Sequence, residues 1–180
     1  ATVEAGEKFV KLVNECEGSL TGGAEEAELT AALEEAKALA TSGLETEEVY
    51  DLAYEELSVV YARYLMAFQN PADWNFNEPV TIGDYYFYLD KTNKVARVNA
   101  YYGGEEEVVV PEKVMTADGT EYLVVGVGGG RVSLWSENVK SVKLPATLSF
   151  INDRTFSECF GLKTIELPQL LDSIGSEAFR

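Results

Sequence analysis

Any chemistry in this 180-residue chain has to be done without histidine, because it contains none. That removes the usual general base at neutral pH, the commonest metal ligand, and every Ser-His or Cys-His pairing. Carboxylates remain. Two of them could hydrolyse a glycosidic bond, but with 31 acidic residues abundance singles out no pair. Glu105-Glu106-Glu107 reads as a solvated turn rather than a cation site, since calcium loops need ligands alternating along a defined turn. Cys16 and Cys159 lack the paired spacing of a zinc site. Gly126-Val-Gly-Gly-Gly130 has neither the spacing nor the following helix of a phosphate or dinucleotide loop, and reads as a loop or bulge. No catalytic residue, metal site or cofactor is therefore expected.

Two groupings could bind without reacting. Tyr85, Tyr86, Phe87, Tyr88, Tyr101 and Tyr102 could stack on sugar rings, although a half-buried strand sends alternate members into a core, and core or cap is the favoured reading. Ser141, Lys143, Thr164 and Glu166 are the expected ligand-binding residues, for a reason that lies in the elements carrying them.

Those elements form one unit written twice. Val139-Lys-Ser-Val-Lys-Leu-Pro145 returns as Leu162-Lys-Thr-Ile-Glu-Leu-Pro168, and Leu148, Ile151 and Phe156 return as Leu171, Ile174 and Phe179, always 23 residues on. Apolar residues at fixed offsets over such a period mark a solenoid whose units must stack to bury their apolar face. Val142 and Leu144 alternate with Lys143 as in a short strand, which Pro145 ends by lacking an amide donor. Identical offsets set Lys143 beside Glu166 and Ser141 beside Thr164 on neighbouring parallel rungs, on the face where solenoids usually bind, although a merely solvated face is the plainer alternative.

Ile-x-Leu-Pro, followed by Ile174-Gly-Ser-Glu-Ala-Phe179, together with Phe156-Ser-Glu-Cys159-Phe-Gly-Leu162, resembles the BspA-type leucine-rich repeats of bacterial surface proteins. The resemblance covers two clear units within residues 105–180, and Asn152-Asp-Arg-Thr-Phe156 departs from the usual Gly-x-x-Ala-Phe. It implies a curved solenoid displayed outside the cell for adhesion or ligand binding, with no shared catalytic residues. Cys159 falls where such repeats commonly place a buried cysteine, so a core role is expected ahead of a disulfide with Cys16.

Two units are too few to stand alone, so residues 81–136 are expected to open the solenoid as a cap. Asp84–Asp90 and Val95–Tyr101 flank Lys91-Thr-Asn-Lys94 as a β-hairpin. Glu107–Pro111 and Glu121–Val127 flank Ala117–Thr120 as a second strand pair, and one degenerate unit runs through Val132 and Trp135. After Phe179 only Arg180 follows, so the chain is expected to be a fragment of a longer array or to self-associate through its C-terminal repeat.

Upstream, Phe9, Val13, Cys16 and Leu20 mark one amphipathic helix. Glu25, Glu26 and Glu28 open a second, with Leu29, Ala32, Leu33, Ala36, Leu39 and Ala40 as its seam and Gly43 at its end. Thr46 caps a third, striped by Val49, Leu52, Ala53, Leu57, Val60, Tyr61, Tyr64, Leu65 and Phe68 and stopped by Pro71. An antiparallel bundle is the economical arrangement. The stretch 29–68 is weakly similar to small helical modules of carbohydrate-active and adhesive surface proteins, and no function is carried over from that. The expected organisation is a helical bundle over 1–70, a linker over 71–83 that packs against a domain through Trp74 and Phe76, and a β-rich cap with solenoid over 84–180. The fold class is α+β: a three-helix bundle, a β-hairpin cap, and a short leucine-rich-repeat solenoid of 23-residue period.

The formal charge is −17, with 17 acidic and 4 basic residues in 1–80 (net −13) and 14 and 10 in 81–180 (net −4). The charge argues against nucleic acid and anionic membranes as partners, because both are bound by clustered Lys and Arg. No membrane-spanning apolar run and no signal peptide is visible; the family resemblance favours a signal already removed, hence a secreted or cell-surface location. The resulting expectation is a non-catalytic binding or adhesion protein that contacts a host or matrix protein or a glycan. The alternatives are a structural spacer displaying other domains and, less favoured, a carbohydrate-active enzyme.

Overall fold

The structure is a computed structural model that describes residues 2–23, 26–43, 45–129 and 138–180. It divides into two compact units, Ala1–Gln69 and Asn70–Arg180.

The first unit holds α1 (Thr2–Ser19), α2 (Ala27–Ser42) and α3 (Glu47–Met66), which share one core of Phe9, Leu12, Val13, Cys16, Leu29, Leu33, Ala36, Tyr50, Leu57, Tyr61 and Tyr64. Thr46 caps α3 by accepting from the Val49 amide at 3.3 Å, and Gly43 closes α2 in the left-handed conformation at φ 64°. Glu26 ties the entry to α2. Its buried carboxylate accepts from the Thr21 and Gly22 amides and lies 3.3 Å from the Tyr64 hydroxyl. The Thr21 amide bond holds its pKa below the ordinary value, against the opposing effect of burial. Glu25 lies outside the described residues.

The stripe expected on α3 is rotated. Leu52 is 62% exposed and Phe68, beyond the end of the helix, 60% exposed, while Tyr50 is buried. The Tyr50 ring packs toward α1, next to Gly6 and beside Phe9, with the Phe9 and Tyr50 ring centroids 6.0 Å apart. A tyrosine buried there brings far more contact area than Leu52 could.

The second unit begins at Asn70 and includes the segment 71–83. Asn70 caps a 3-10 turn at Pro71–Asp73, and β1 (Glu78–Ile82) pairs antiparallel with β2 (Tyr85–Asp90). Trp74 and Phe76 pack on Phe150 with ring centroids 6.1 and 5.8 Å away, so both aromatics are built into this unit. Pro79 is tolerated because β1 is the edge of its sheet. β2 turns into β3 (Val95–Tyr101) through Lys91–Lys94, held by the Asp90 carboxylate, which accepts from the amides of Thr92 and Asn93 at 3.0 Å.

The second strand pair differs from expectation. β4 (Glu107–Val109) does not pair with β6 (Glu121–Val127); β5 (Lys113–Met115) does, across Thr116–Thr120. β4 instead joins β7 (Ser141–Lys143) in the other sheet, and the Val110 amide extends that ladder to the Lys143 carbonyl at 2.9 Å before Pro111 turns the chain away. Of the loop or bulge expected at Gly126–Gly130, the structure shows a strand irregularity at Gly126. Gly126 sits within β6, opposite Arg97, beside a register shift in the β3–β6 ladder. Gly130, and the degenerate unit through Val132 and Trp135, lie outside the described residues.

The remaining strands are β8 (Phe150–Ile151), β9 (Thr164–Glu166) and β10 (Ser173–Ile174). Among the described residues one sheet runs β1-β2-β3-β6-β8-β10 with β5 alongside β6, and the other runs β4-β7-β9. β6, β8 and β10 are mutually parallel, as are β4, β7 and β9. Val108, Val142, Val127, Leu148, Ile151 and Phe156 fill the core, each 4% exposed or less, and Ile165, Leu171 and Leu162 pack against it. Phe156 stacks on Phe179 at 5.5 Å and 10°. Neither cysteine is in a disulfide: Cys16 is buried in the first unit and Cys159 is half-buried against the core of the second.

Candidate functional site

The four residues expected to bind ligand lie on the β4-β7-β9 sheet. Parallel pairing sets Ser141 opposite Thr164 and Lys143 opposite Glu166. Between these positions Val142 and Ile165 point the other way, into the core, because successive side chains on a strand alternate faces. β4 continues both rows, with Glu107 opposite Ser141 and Val109 opposite Lys143. The outer face thus carries the row Glu107, Ser141, Thr164 and the row Val109, Lys143, Glu166. Thr164 and Glu166 are exposed, Ser141 and Lys143 are half-buried, and Val109 is 66% exposed.

Glu107 and Val109 were not among the expected site residues. Their offset to β7 is 34 residues (141 − 107), so the repeat length does not reveal them, although Val110-Pro111 echoes the Leu144-Pro145 strand end. Beside the rows Lys140 pairs with Glu106 at 2.7 Å, both half or more exposed, a pair worth little by itself. All of Glu105–Glu107 is exposed.

The hairpin aromatics divide between two faces. Phe87 and Tyr101 are buried, and Tyr85 packs against them at 5.7 and 5.1 Å. Burial, reinforced by Tyr101 and Asp84, pushes the Tyr85 hydroxyl up to about 12. On the other side Tyr86 meets Tyr88 edge-on at 5.4 Å, and Tyr102 is 67% exposed. Among the described residues no group of three or more acidic, Cys or His side chains is placed to hold a metal, and no helix is long and apolar enough to cross a membrane.

Parallel strands β7 and β9 at a 23-residue offset (164 − 141), a Pro after each, and apolar returns through Leu148/Leu171 and Phe156/Phe179 agree with a sequence comparison. Residues 133–180 match the family model described as BspA type leucine rich repeat region (6 copies). This segment is a BspA-type leucine-rich repeat. No curated protein matches the chain.

Solved structures similar to it include a leucine rich cell surface protein from Faecalibacterium prausnitzii, at 23% identity and TM-score 0.48, with 58% of this chain and 28% of that one covered. A leucine-rich repeat protein from Bacteroides capillosus has 23% identity and TM-score 0.48, with 56% and 72% covered. A leucine-rich repeat protein of T. pallidum has 22% identity and TM-score 0.45, with 56% and 44% covered. The chain thus spans less than a third of the first of these relatives. In the BspA-type segment itself, β7 and β9 carry Ser141, Lys143, Thr164 and Glu166, and β4, upstream of the matched residues, extends their rows.

Proposed function

We propose that this chain is a non-catalytic binding module, secreted or held at a bacterial cell surface, that contacts a protein or glycan through the β4-β7-β9 face. In this reading the three helices form an N-terminal bundle, the β2–β3 hairpin caps a short solenoid of 23-residue period, and the rungs present their side chains in register. The observation that carries the proposal is that register. Ser141 with Thr164 and Lys143 with Glu166 form a regular polar array on a rigid sheet, which costs little ordering entropy when a partner docks. Self-association belongs to the same proposal, through Leu167, Ile174 and Phe179, which are 48%, 48% and 44% exposed where Leu144, Ile151 and Phe156 are 4%, 1% and 3%.

The test is a binding array of glycans and matrix proteins, run beside light scattering on the same sample. The charge-swapped pair Lys143→Glu with Glu166→Lys keeps the net charge and the fold, and should weaken any array hit by about tenfold or more. Hits that ignore the swap would move the contact off this face. A chain that binds nothing on the array would be a structural spacer, and one that cleaves a glycan would be an enzyme.

A further inference from the structure

The larger sheet of the second unit carries a cleft of about 430 Å³, separate from the β4-β7-β9 face. Trp74, Phe76 and Phe150 supply its apolar wall, and Arg97, Asn152 and Asp172 its polar groups. The wall is built by an absence. A Cβ on Gly126 would lie 2.0 Å from the Phe150 ring, so the ring occupies the space above a bare strand backbone, where Trp74 and Phe76 close on it.

Arg97 is held in place by groups that do not neutralise it. Its guanidinium lies over the Tyr88 ring at 4.9 Å and the Phe76 ring at 5.9 Å. Nη1 donates to Asn99 Oδ1 at 3.0 Å and to the Gly128 carbonyl. The Nε–Nη2 edge donates to nothing, and no carboxylate lies within 4.0 Å of this half-buried cation, among the described residues of a chain with 31 acidic side chains. That edge is the one that matches a carboxylate with two parallel hydrogen bonds. Asn152 donates one of its two amide hydrogens to the Gly128 carbonyl at 2.8 Å and keeps its oxygen as an acceptor. Asp172 is exposed and accepts only from the Ser149 hydroxyl, at 3.3 Å.

An anion-binding edge, two side-chain acceptors and an aromatic wall describe a ligand with a carboxylate, several hydroxyls and an apolar ring face. We propose that this cleft binds a hexuronic-acid residue of an acidic glycan, its carboxylate on Arg97, its hydroxyls on Asn152 and Asp172, and its ring against Trp74 and Phe150. A peptide carboxyl terminus would also satisfy Arg97, but its nearest donor is a single amide, which leaves one of the two acceptors unused. The glycan therefore fits better. The cleft does not depend on whether the β4-β7-β9 face binds anything.

The experiment titrates the whole chain with a hexuronate tetrasaccharide, with the same tetrasaccharide after reduction of its carboxyl groups to alcohols, and with an N-acetylated dipeptide bearing a free carboxylate. Calorimetry gives the affinities, and the Trp74 indole N–H resonance gives the place. The uronate should bind at least about tenfold tighter than its reduced form and shift the Trp74 resonance, and Arg97→Lys, which keeps the charge but loses the fork, should abolish that preference. Should Arg97→Lys fail to fold, the comparison of the two sugars on the unaltered protein stands without it. Equal affinity for the two sugars, no uronate binding at about 10 mM, binding that leaves Trp74 unmoved, or preference for the dipeptide would each overturn the assignment.

Discussion

Asp90 does more than cap a turn. It is 3% exposed, and its carboxylate accepts from the Thr92 and Asn93 amides, the Asn93 side chain and the Asn75 amide. Burial alone would push its pKa up; the bonds from Asn93, Asn75 and Thr92 together outweigh that and hold it below the ordinary value. One side chain thus fastens both the hairpin turn and the segment that carries Trp74 and Phe76. Asp90→Ala should cost about 1–3 kcal/mol in urea unfolding of the second unit, the cost of leaving buried donors unsatisfied, and should also loosen protease protection around Trp74.

Two other groups with shifted pKa values make stability depend on pH. Asp118 is held down to about 2 by the Thr116 hydroxyl and the Thr120 amide, so its contribution is present above the ordinary carboxylate range and is lost as pH falls toward about 2. Asp118→Asn should flatten the acid limb of stability of the second unit, measured by thermal unfolding across pH. Tyr85 behaves in the opposite sense. Its raised value means the folded state keeps its proton longer than the unfolded state, so that stability is present below about 10 and lost as pH rises toward about 12. In a spectrophotometric titration, Tyr85→Phe should remove a late-ionising tyrosine.

At the level of helices and strands, local signals and packing compete. Thr46→Ala removes the side-chain acceptor of the Val49 amide and should cost about 1 kcal/mol, read from the thermal transition of the helical signal. Gly126→Ala places a methyl where the Phe150 ring lies and should cost about 1–3 kcal/mol while releasing the ring from Trp74 and Phe76. Unchanged tryptophan fluorescence in that variant would show that the cleft wall does not depend on the bare strand. The rotation of α3 belongs here too. Leu52 fits an apolar period as well as Tyr50 does, and packing against α1, where the Tyr50 ring lies beside Phe9, decides which of them is buried.

Over the whole chain, charge is the lever. Residues 1–80 carry net −13, and the described pairs there, such as Lys37 with Glu17, are about half exposed and offset little of the repulsion. Raising salt from about 10 mM to about 0.5 M should therefore raise the melting temperature of the helical unit more than that of the sheet unit. The test is circular dichroism followed at helix and at aromatic wavelengths. Equal shifts would mean that the repulsion is already relieved by local pairing.

The sequence by itself determined the three helices, their Thr46 and Gly43 ends, the hairpin around Lys91–Lys94, and the offset that puts Ser141 by Thr164 and Lys143 by Glu166. These are readable because a cap, a turn and a repeat are written within a few residues or copied at a constant interval. Tertiary structure alone decided that β5 rather than β4 pairs with β6 and that Glu107 and Val109 extend the candidate face. It also brought Trp74 to Phe150 and Arg97 to the Gly128 carbonyl, across 76 and 31 residues of chain (150 − 74 and 128 − 97). Such meetings depend on which strand edge and which vacant surface are left once every other element has packed, and no local pattern of residues encodes that.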